Sequence, residues 1–176
     1  MNPSQYPTLA RWLLVLRSFV PTGTLFLAVA LSQLPWGVPY LSAVTPFFAL
    51  IVVYYWSIHR AEQLPAAAIF AAGVLQDLIT GGPPGSVALI LLLVHALTVS
   101  QRRILLGQLY IVEWAGLLLV AVGAGVIGWL LTCIYNTMFI VPWHFLVQAL
   151  LSVALYPIVT WALAPAARAT RAPEAA

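Results

Sequence analysis

Residues 73–86 read Gly-Val-Leu-Gln-Asp-Leu-Ile-Thr-Gly-Gly-Pro-Pro-Gly-Ser, and Asp77 within them is the only aspartate in the chain. On a helix, Gly73, Asp77 and Thr80 share one face because they are spaced by four and three residues. A carboxylate in an apolar segment is costly to bury, so Asp77 is predicted to face a neighbouring helix, a cavity or the interface. Pro83 and the proline after it cannot continue a helix. The stretch therefore predicts a helix that ends in a rigid turn beside an acid.

The turn itself is rich in glycine. Gly81, Gly82 and Gly85 are predicted to adopt backbone angles that other residues avoid, and Asp77 is predicted to accept hydrogen bonds from this turn. Two roles fit the acid: a structural acceptor that fixes the turn, or a contact with a partner or ligand. The residues alone do not separate these roles.

The composition places the whole chain in a membrane. Of its 176 residues, 63% are hydrophobic and 6% are charged, and the mean hydropathy is +1.02. Soluble proteins carry about 25% charged residues. The apolar runs leave no room for a soluble domain of about 50 residues, and thinly spread arginines do not form a nucleic-acid site. Cys133 is the only cysteine, which excludes a disulfide framework or a CxxC metal site.

The apolar runs predict an all-α, polytopic membrane protein, a compact bundle of six transmembrane helices. A cytoplasmic segment of residues 1–18 is expected to precede a transmembrane domain of residues 19–163, and a disordered cytoplasmic tail of residues 164–176 to follow it. The first run is expected to be an uncleaved helix because everything after it is equally hydrophobic. The predicted helices cover 22–34, about 41–58, 64–79, 87–99, 109–134 and 143–163.

The arginines predict the orientation, because positively charged short loops stay in the cytoplasm. Six crossings with the N-terminus inside place every basic residue on the cytoplasmic side, and the densest charge is Arg102 with Arg103 after the fourth helix. Loops 35–40, 80–86 and 135–142 carry no charge. Both termini are therefore expected in the cytoplasm. The arginine pair is also a candidate contact for a cytoplasmic filament.

Small residues mark a packing face on the fifth helix, at Ala121, Ala124, Gly125 and Gly128. Their spacing lets two helix backbones approach closely in a membrane. Ala67 and Ala71 form a similar pair on the third helix. Because the chain has little extramembrane mass, these faces are expected to bind other membrane helices. Replacing Gly125 or Gly128 with leucine is expected to weaken self-association or the capture of a partner.

Other polar residues in the apolar runs give no catalytic pattern. His95 is expected to be a hydrogen-bonded residue near the cytoplasmic end of its helix, Glu113 to reach the interface, and His144 to lie at the outer edge. No metal-ligand spacing, nucleophile elbow or phosphate-binding loop is present. No local motif pairs a serine with a histidine. The sequence therefore predicts a non-enzyme without metal or cofactor.

The motif around Asp77 resembles a known family signature. The segment from Asp77 to Gly85, at the end of a third helix, resembles the Asp-hydrophobic-hydrophobic-x-Gly-x-Pro-Leu-Gly signature of the rod shape-determining protein MreD. Pro84 stands where the family usually has leucine, which predicts a stiffer turn. The arginine-bearing loop after the fourth helix also fits.

The resemblance implies a non-enzymatic, multi-pass subunit of the bacterial cytoplasmic (inner) membrane, in the machinery for cell elongation and lateral peptidoglycan synthesis. The implied partners are a single-pass MreC-like protein, the actin-like MreB, the glycosyltransferase RodA and a penicillin-binding transpeptidase, besides the bilayer and a second copy of the chain. An alternative is the substrate-binding membrane subunit of an energy-coupling-factor vitamin transporter, which has the same size and helix number. Such a subunit needs polar side chains that converge on a pocket, and the outer loops offer few.

Overall fold

The computed structural model describes residues 7–34, 46–105, 110–138, 141 and 143–169. Within these residues the protein is helical, with a single 3-10 turn at Ala61–Gln63 and no strand. The helices are α1 (Pro7–Ser32), α2 (Phe48–His59), α3 (Ala66–Thr80), α4 (Ser86–Leu105), α5 (Tyr110–Asn136) and α6 (Trp143–Ala169). The prediction of an all-α protein with six helices is confirmed at this level.

Helix α2 lies at the centre of the packing. Every residue from Ala49 to Ile58 is buried, and a helix that is apolar all round belongs in a core. It contacts α1, α4, α5 and α6. Two of its aromatic side chains reach polar partners on surrounding helices: the Trp56 indole donates to Thr24 Oγ1 at 2.9 Å, and the Tyr54 hydroxyl donates to the Glu113 carbonyl at 2.8 Å. Buried aromatic residues need such partners, and these two fix α1 and α5 against α2.

The other helices pack mainly as sequential pairs, α3 with α4 and α5 with α6. Helices α4, α5 and α6 are long and apolar enough to cross a membrane. The described apolar parts of α1, α2 and α3 are shorter. The 12 residues of α2 rise about 18 Å, against a hydrocarbon core of about 30 Å. The start of the predicted second run, before residue 46, and the whole predicted turn at 35–40 lie outside the described residues.

Three helix boundaries differ from the predicted ones. Helix α1 continues through Pro21 instead of beginning after it. Helix α4 continues to Leu105, so the arginine pair lies in its last turn and not in a loop. Helix α6 continues to Ala169, so the prediction that the tail is disordered from residue 164 is wrong for 164–169. There, Ala166 and Ala167 still pack against the core, which extends the helix beyond Pro165. Residues 170–176 lie outside the described part of the chain.

Candidate functional site

Asp77 connects the end of α3 to the beginning of α4. Its side chain is only 3% exposed. Oδ1 accepts hydrogen bonds from the Ser86 hydroxyl at 3.1 Å and the Val87 amide at 3.0 Å, and Oδ2 accepts one from the Ala88 amide at 3.4 Å. The first amides of a helix have no partner within the helix, and the positive end of its dipole favours an anion. Asp77 therefore acts as an N-terminal cap that is supplied by the preceding helix.

The turn between the two helices uses glycine at two of the three predicted positions. Gly81 has φ +68° and Gly85 has φ +86°, both in the left-handed region. The Gly81 amide donates to the Asp77 carbonyl at 3.0 Å, which closes the end of α3. Gly82 lacks a positive φ, so its predicted conformational role is wrong. The donors to the Asp77 carboxylate come just after the turn, because only there does a helix begin with unpaired amides.

Two other residues of the motif act through packing and local bonding. A Cβ atom at Gly73 would lie 2.3 Å from the Ala88 Cα atom, so only glycine allows α3 and α4 to approach this closely. The Thr80 hydroxyl donates to the Gln76 carbonyl at 2.9 Å and does not reach the Asp77 carboxylate. Pro83 is half-buried in the turn. The predicted face of Gly73 and Asp77 therefore packs on α4, whereas Thr80 is exposed.

A cavity of about 210 Å³ adjoins Asp77. It lies among the end of α3, the starts of α2, α4 and α6, and the second half of α5. The polar side chains that line the cavity lie on helices, so the few polar residues of the predicted outer loops did not indicate a pocket. Those side chains are Gln76, Asp77, Thr80, Ser86, Thr132 and Gln148.

The small residues of α5 face the interior of the same chain. Ala121 and Ala124 are buried, at 0% and 4% exposure. A Cβ atom at Gly125 would lie 3.5 Å from the Phe145 carbonyl oxygen, and one at Gly128 would lie 3.5 Å from the Phe145 ring. The predicted packing face therefore joins α5 to α6 within the chain. That this face also binds a partner stays a prediction.

The two arginines of the predicted basic loop have different surroundings. Arg102 donates from Nε to the Ile58 carbonyl at 2.8 Å and pairs with Glu62 at 3.4 Å. Its guanidinium thus satisfies a carbonyl at the end of α2 and holds the 3-10 turn. Arg103 is exposed. Of the pair, Arg103 is the one whose charge is available to another molecule.

No sequence pattern predicted the polar contacts between helices, and two of these contacts involve His95 and Glu113. Ser57 Oγ lies 2.7 Å from His95 Nδ1, although the two residues are 38 positions apart. The Tyr156 hydroxyl donates to the Glu113 carboxylate at 3.4 Å, so Glu113 is bonded within the bundle. No sequence signal reports such pairs, because they depend on which helices become neighbours. Ser57 is fully buried, which keeps its hydroxyl from any substrate.

The remaining candidate residues form no reactive group. His144 is exposed, and Cys133 is partly buried. Within the described ranges, no three His, Cys, Asp or Glu residues come together to hold a metal ion.

The comparison with protein families identifies this architecture. The family described as rod shape-determining protein MreD matches residues 12–164 of the 176-residue chain. The chain belongs to the MreD family. The match includes the Asp77 motif and all of the helices except the first five residues of α1 and the last five of α6. The resemblance drawn from the motif is thereby confirmed. Neither a curated protein nor a solved structure matched the chain.

Membership assigns this MreD a role in determining rod shape. The family acts in the shape-determining complex and is not a known enzyme family. Three helices able to cross a membrane agree with a membrane protein. The Asp77 motif, which carries the family resemblance, caps the N-terminus of α4 and so joins α3 to α4.

Proposed function

We propose that this MreD is a non-enzymatic scaffold subunit of the cell-elongation machinery, which spans the bacterial cytoplasmic membrane several times and binds partner membrane helices. The observation that carries the proposal is the division of its helices into bonded polar interiors and exposed apolar faces. The only aspartate caps α4. Outward, the helices present large apolar side chains, such as Leu119 at 74% and Leu78 at 73% exposure.

Helix α3 offers the face best suited to a partner. Its inner side carries Asp77 and Gly73, whereas Phe70 and Leu78 are exposed at 53% and 73%. Ala67 and Ala71 are also exposed and lie one turn apart on the same helix. Small residues at this spacing allow a second helix to approach the backbone, and the apolar neighbours extend the contact. A single-pass MreC-like helix is the occupant that we assign to this face.

The distribution of arginine supports a topology with both termini in the cytoplasm. Arg60 follows α2, while Arg102 and Arg168 lie in the last turns of α4 and α6. The Arg102 contact with Ile58 places the ends of α2 and α4 together. This end of the bundle faces the cytoplasm in the proposal. Residues 1–18 form the cytoplasmic N-terminal segment, and residues 170–176 end on the same side.

Reporter fusions test this topology. Alkaline phosphatase is active only outside the cytoplasm, so a fusion after Gly85 is expected to be active. Fusions after Arg103 or at the C-terminus are expected to be inactive. The opposite pattern would reject the orientation. An active C-terminal fusion together with an inactive fusion after Arg103 would reject the two crossings predicted between these sites.

Co-purification of an MreC-like partner tests the scaffold role. Ala71→Leu is expected to reduce the captured partner while leaving the melting temperature near wild type, because residue 71 is exposed. The matched control is Ala115→Leu, which adds the same side chain to an exposed position of α5. Loss of partner in the control but not in Ala71→Leu would move the interface to α5.

The proposed scaffold also has partners besides the MreC-like helix. MreB, RodA and the penicillin-binding transpeptidase are the further partners in the proposal, and a second copy of the chain is another possible occupant of an apolar face. The exposed side chain of Arg103 is available for a cytoplasmic contact. The family match favours this role over a vitamin-transporter subunit.

A further inference from the structure

We propose that the cavity beside Asp77 binds a primary amine or ammonium group. The cavity has a volume of about 210 Å³ and adjoins the buried carboxylate. Liquid water occupies about 30 Å³ per molecule, so the space corresponds to about seven waters or a small polar headgroup. The inference goes beyond the scaffold role and does not depend on it.

Hydrogen bonding in the cavity wall favours a ligand that donates. The hydroxyl groups of Thr80, Ser86 and Thr132 each donate their single proton to another protein oxygen, so only their lone pairs remain. The buried Oε1 atom of Gln76 has no protein donor. Among the described side chains of the wall, only the carboxamides of Gln76 and Gln148 supply N–H donors. The wall therefore offers more acceptors than donors.

The Asp77 carboxylate has one acceptor position left. A carboxylate offers about four lone-pair sites on two oxygens. Three are used by Ser86, Val87 and Ala88, with two donors on Oδ1 and one on Oδ2. Oδ2 can accept one further hydrogen bond, and Asp77 lines the cavity. An N–H group of an ammonium ion in the cavity is suited to this position.

The charge of the wall points the same way. Among the described residues that line the cavity, Asp77 is charged and none is Lys, Arg or His. The arginines of α4 and α6 lie at the opposite ends of those helices. Coulomb interactions strengthen where water is excluded, so a carboxylate without a basic neighbour attracts a cation and repels an anion. A ligand whose only charged group is a phosphate or a carboxylate finds no partner of opposite charge among the described residues of this wall.

The rest of the cavity is apolar, with Phe47, Leu50, Ile90, Leu91 and Phe145 in its wall. These side chains suit a hydrocarbon body attached to the amine. Two sources share this chemistry: the ethanolamine headgroup of a phospholipid and a free small amine. Both present an ammonium N–H on a short carbon chain, and the experiment separates them.

The experiment uses the full-length protein in lipid nanodiscs. One set contains phosphatidylethanolamine with phosphatidylglycerol, and the matched set replaces phosphatidylethanolamine with phosphatidylcholine, whose quaternary ammonium has no N–H donor. The retained lipid is measured by native mass spectrometry, and the melting temperature is measured in parallel. A third arm adds ethanolamine to protein in lipid-free detergent.

Variants locate the binding. Thr132→Val and Gln76→Leu each remove acceptors from the wall while leaving the Asp77 cap in place. Each is expected to lower preferential retention of phosphatidylethanolamine roughly fivefold, the effect of one lost hydrogen bond. Thr160→Val is the control: its hydroxyl also donates to a helix carbonyl, but it does not line the cavity.

The outcomes are distinct. Preference for phosphatidylethanolamine that falls in the two cavity variants and not in the control supports the site with a lipid source. Stabilisation by ethanolamine in detergent with the same variant pattern supports it with a free amine. Equal retention of both lipids with no effect of ethanolamine overturns the proposal, as does variant-sensitive preference for phosphatidylglycerol. None of these results depends on partner capture, so the scaffold proposal stands or falls separately.

Discussion

Removing the carboxylate of Asp77 is expected to destabilise the junction of α3 and α4. Asp77→Ala leaves the amides of Val87 and Ala88 without an acceptor in the first turn of α4. Loss of a helix cap costs about 0.5–2 kcal/mol and a buried donor without a partner about 1–3 kcal/mol. The free energy of unfolding should therefore fall by roughly 2–4 kcal/mol. For a protein of this size, that corresponds to a melting temperature lower by roughly 4–16 °C.

The assay is thermal melting of the purified protein in detergent, with yield as a second measurement. Asp77→Asn keeps one acceptor oxygen, so it should lose about half as much. Glu62→Ala is the control, since this carboxylate is 83% exposed and exposed pairs contribute little. Wild-type melting of Asp77→Ala together with lost cell-shape function would refute the capping role and make Asp77 a contact residue.

Three further substitutions test other contacts, each by thermal melting in the same detergent. Gly73→Ala should lower the melting temperature by several degrees because overpacking costs about 1–3 kcal/mol. Gly123→Ala is the control and should be neutral or stabilising, since no atom lies within 4 Å of its Cβ position. Equal effects of the two substitutions would contradict the close contact between α3 and α4. Arg102→Ala should destabilise the protein by about 1–3 kcal/mol because it loses the hydrogen bond to the Ile58 carbonyl, whereas Arg103→Ala should leave stability unchanged. A larger loss of stability in Arg103→Ala would refute the structural role of Arg102. Gly128→Leu should prevent folding or sharply reduce yield because residue 128 faces α4 and α6. A well-folded variant that loses only a partner would support the prediction that this face of α5 binds a partner.

The sequence predicted the Asp77 motif well because its signals are local. Consecutive prolines end a helix wherever the chain folds, and glycine is needed at left-handed positions such as Gly81 and Gly85. A buried acid among apolar residues requires hydrogen-bond donors, and the nearest unpaired donors along the chain are the amides of the next helix. The family assignment followed from the same few residues.

The surroundings of α5 could not be predicted in the same way. Spacing showed that Gly125 and Gly128 belong to a packing face, but spacing does not say which helix covers that face. In the structure Phe145 of the same chain covers it. The identical pattern would serve a partner helix equally well, since both contacts depend on close backbone approach.

The sequence by itself determined apolar helices suited to a membrane, the break after α3 and the need for donors around Asp77. These follow from hydrophobicity, from the missing amide of proline and from the cost of an unpaired charge. Only the tertiary structure decided that Ser57 meets His95, that Arg102 bonds the end of α2, and that a cavity opens beside Asp77. Those contacts join residues far apart in the chain, so they depend on which helices pack against each other in the folded protein.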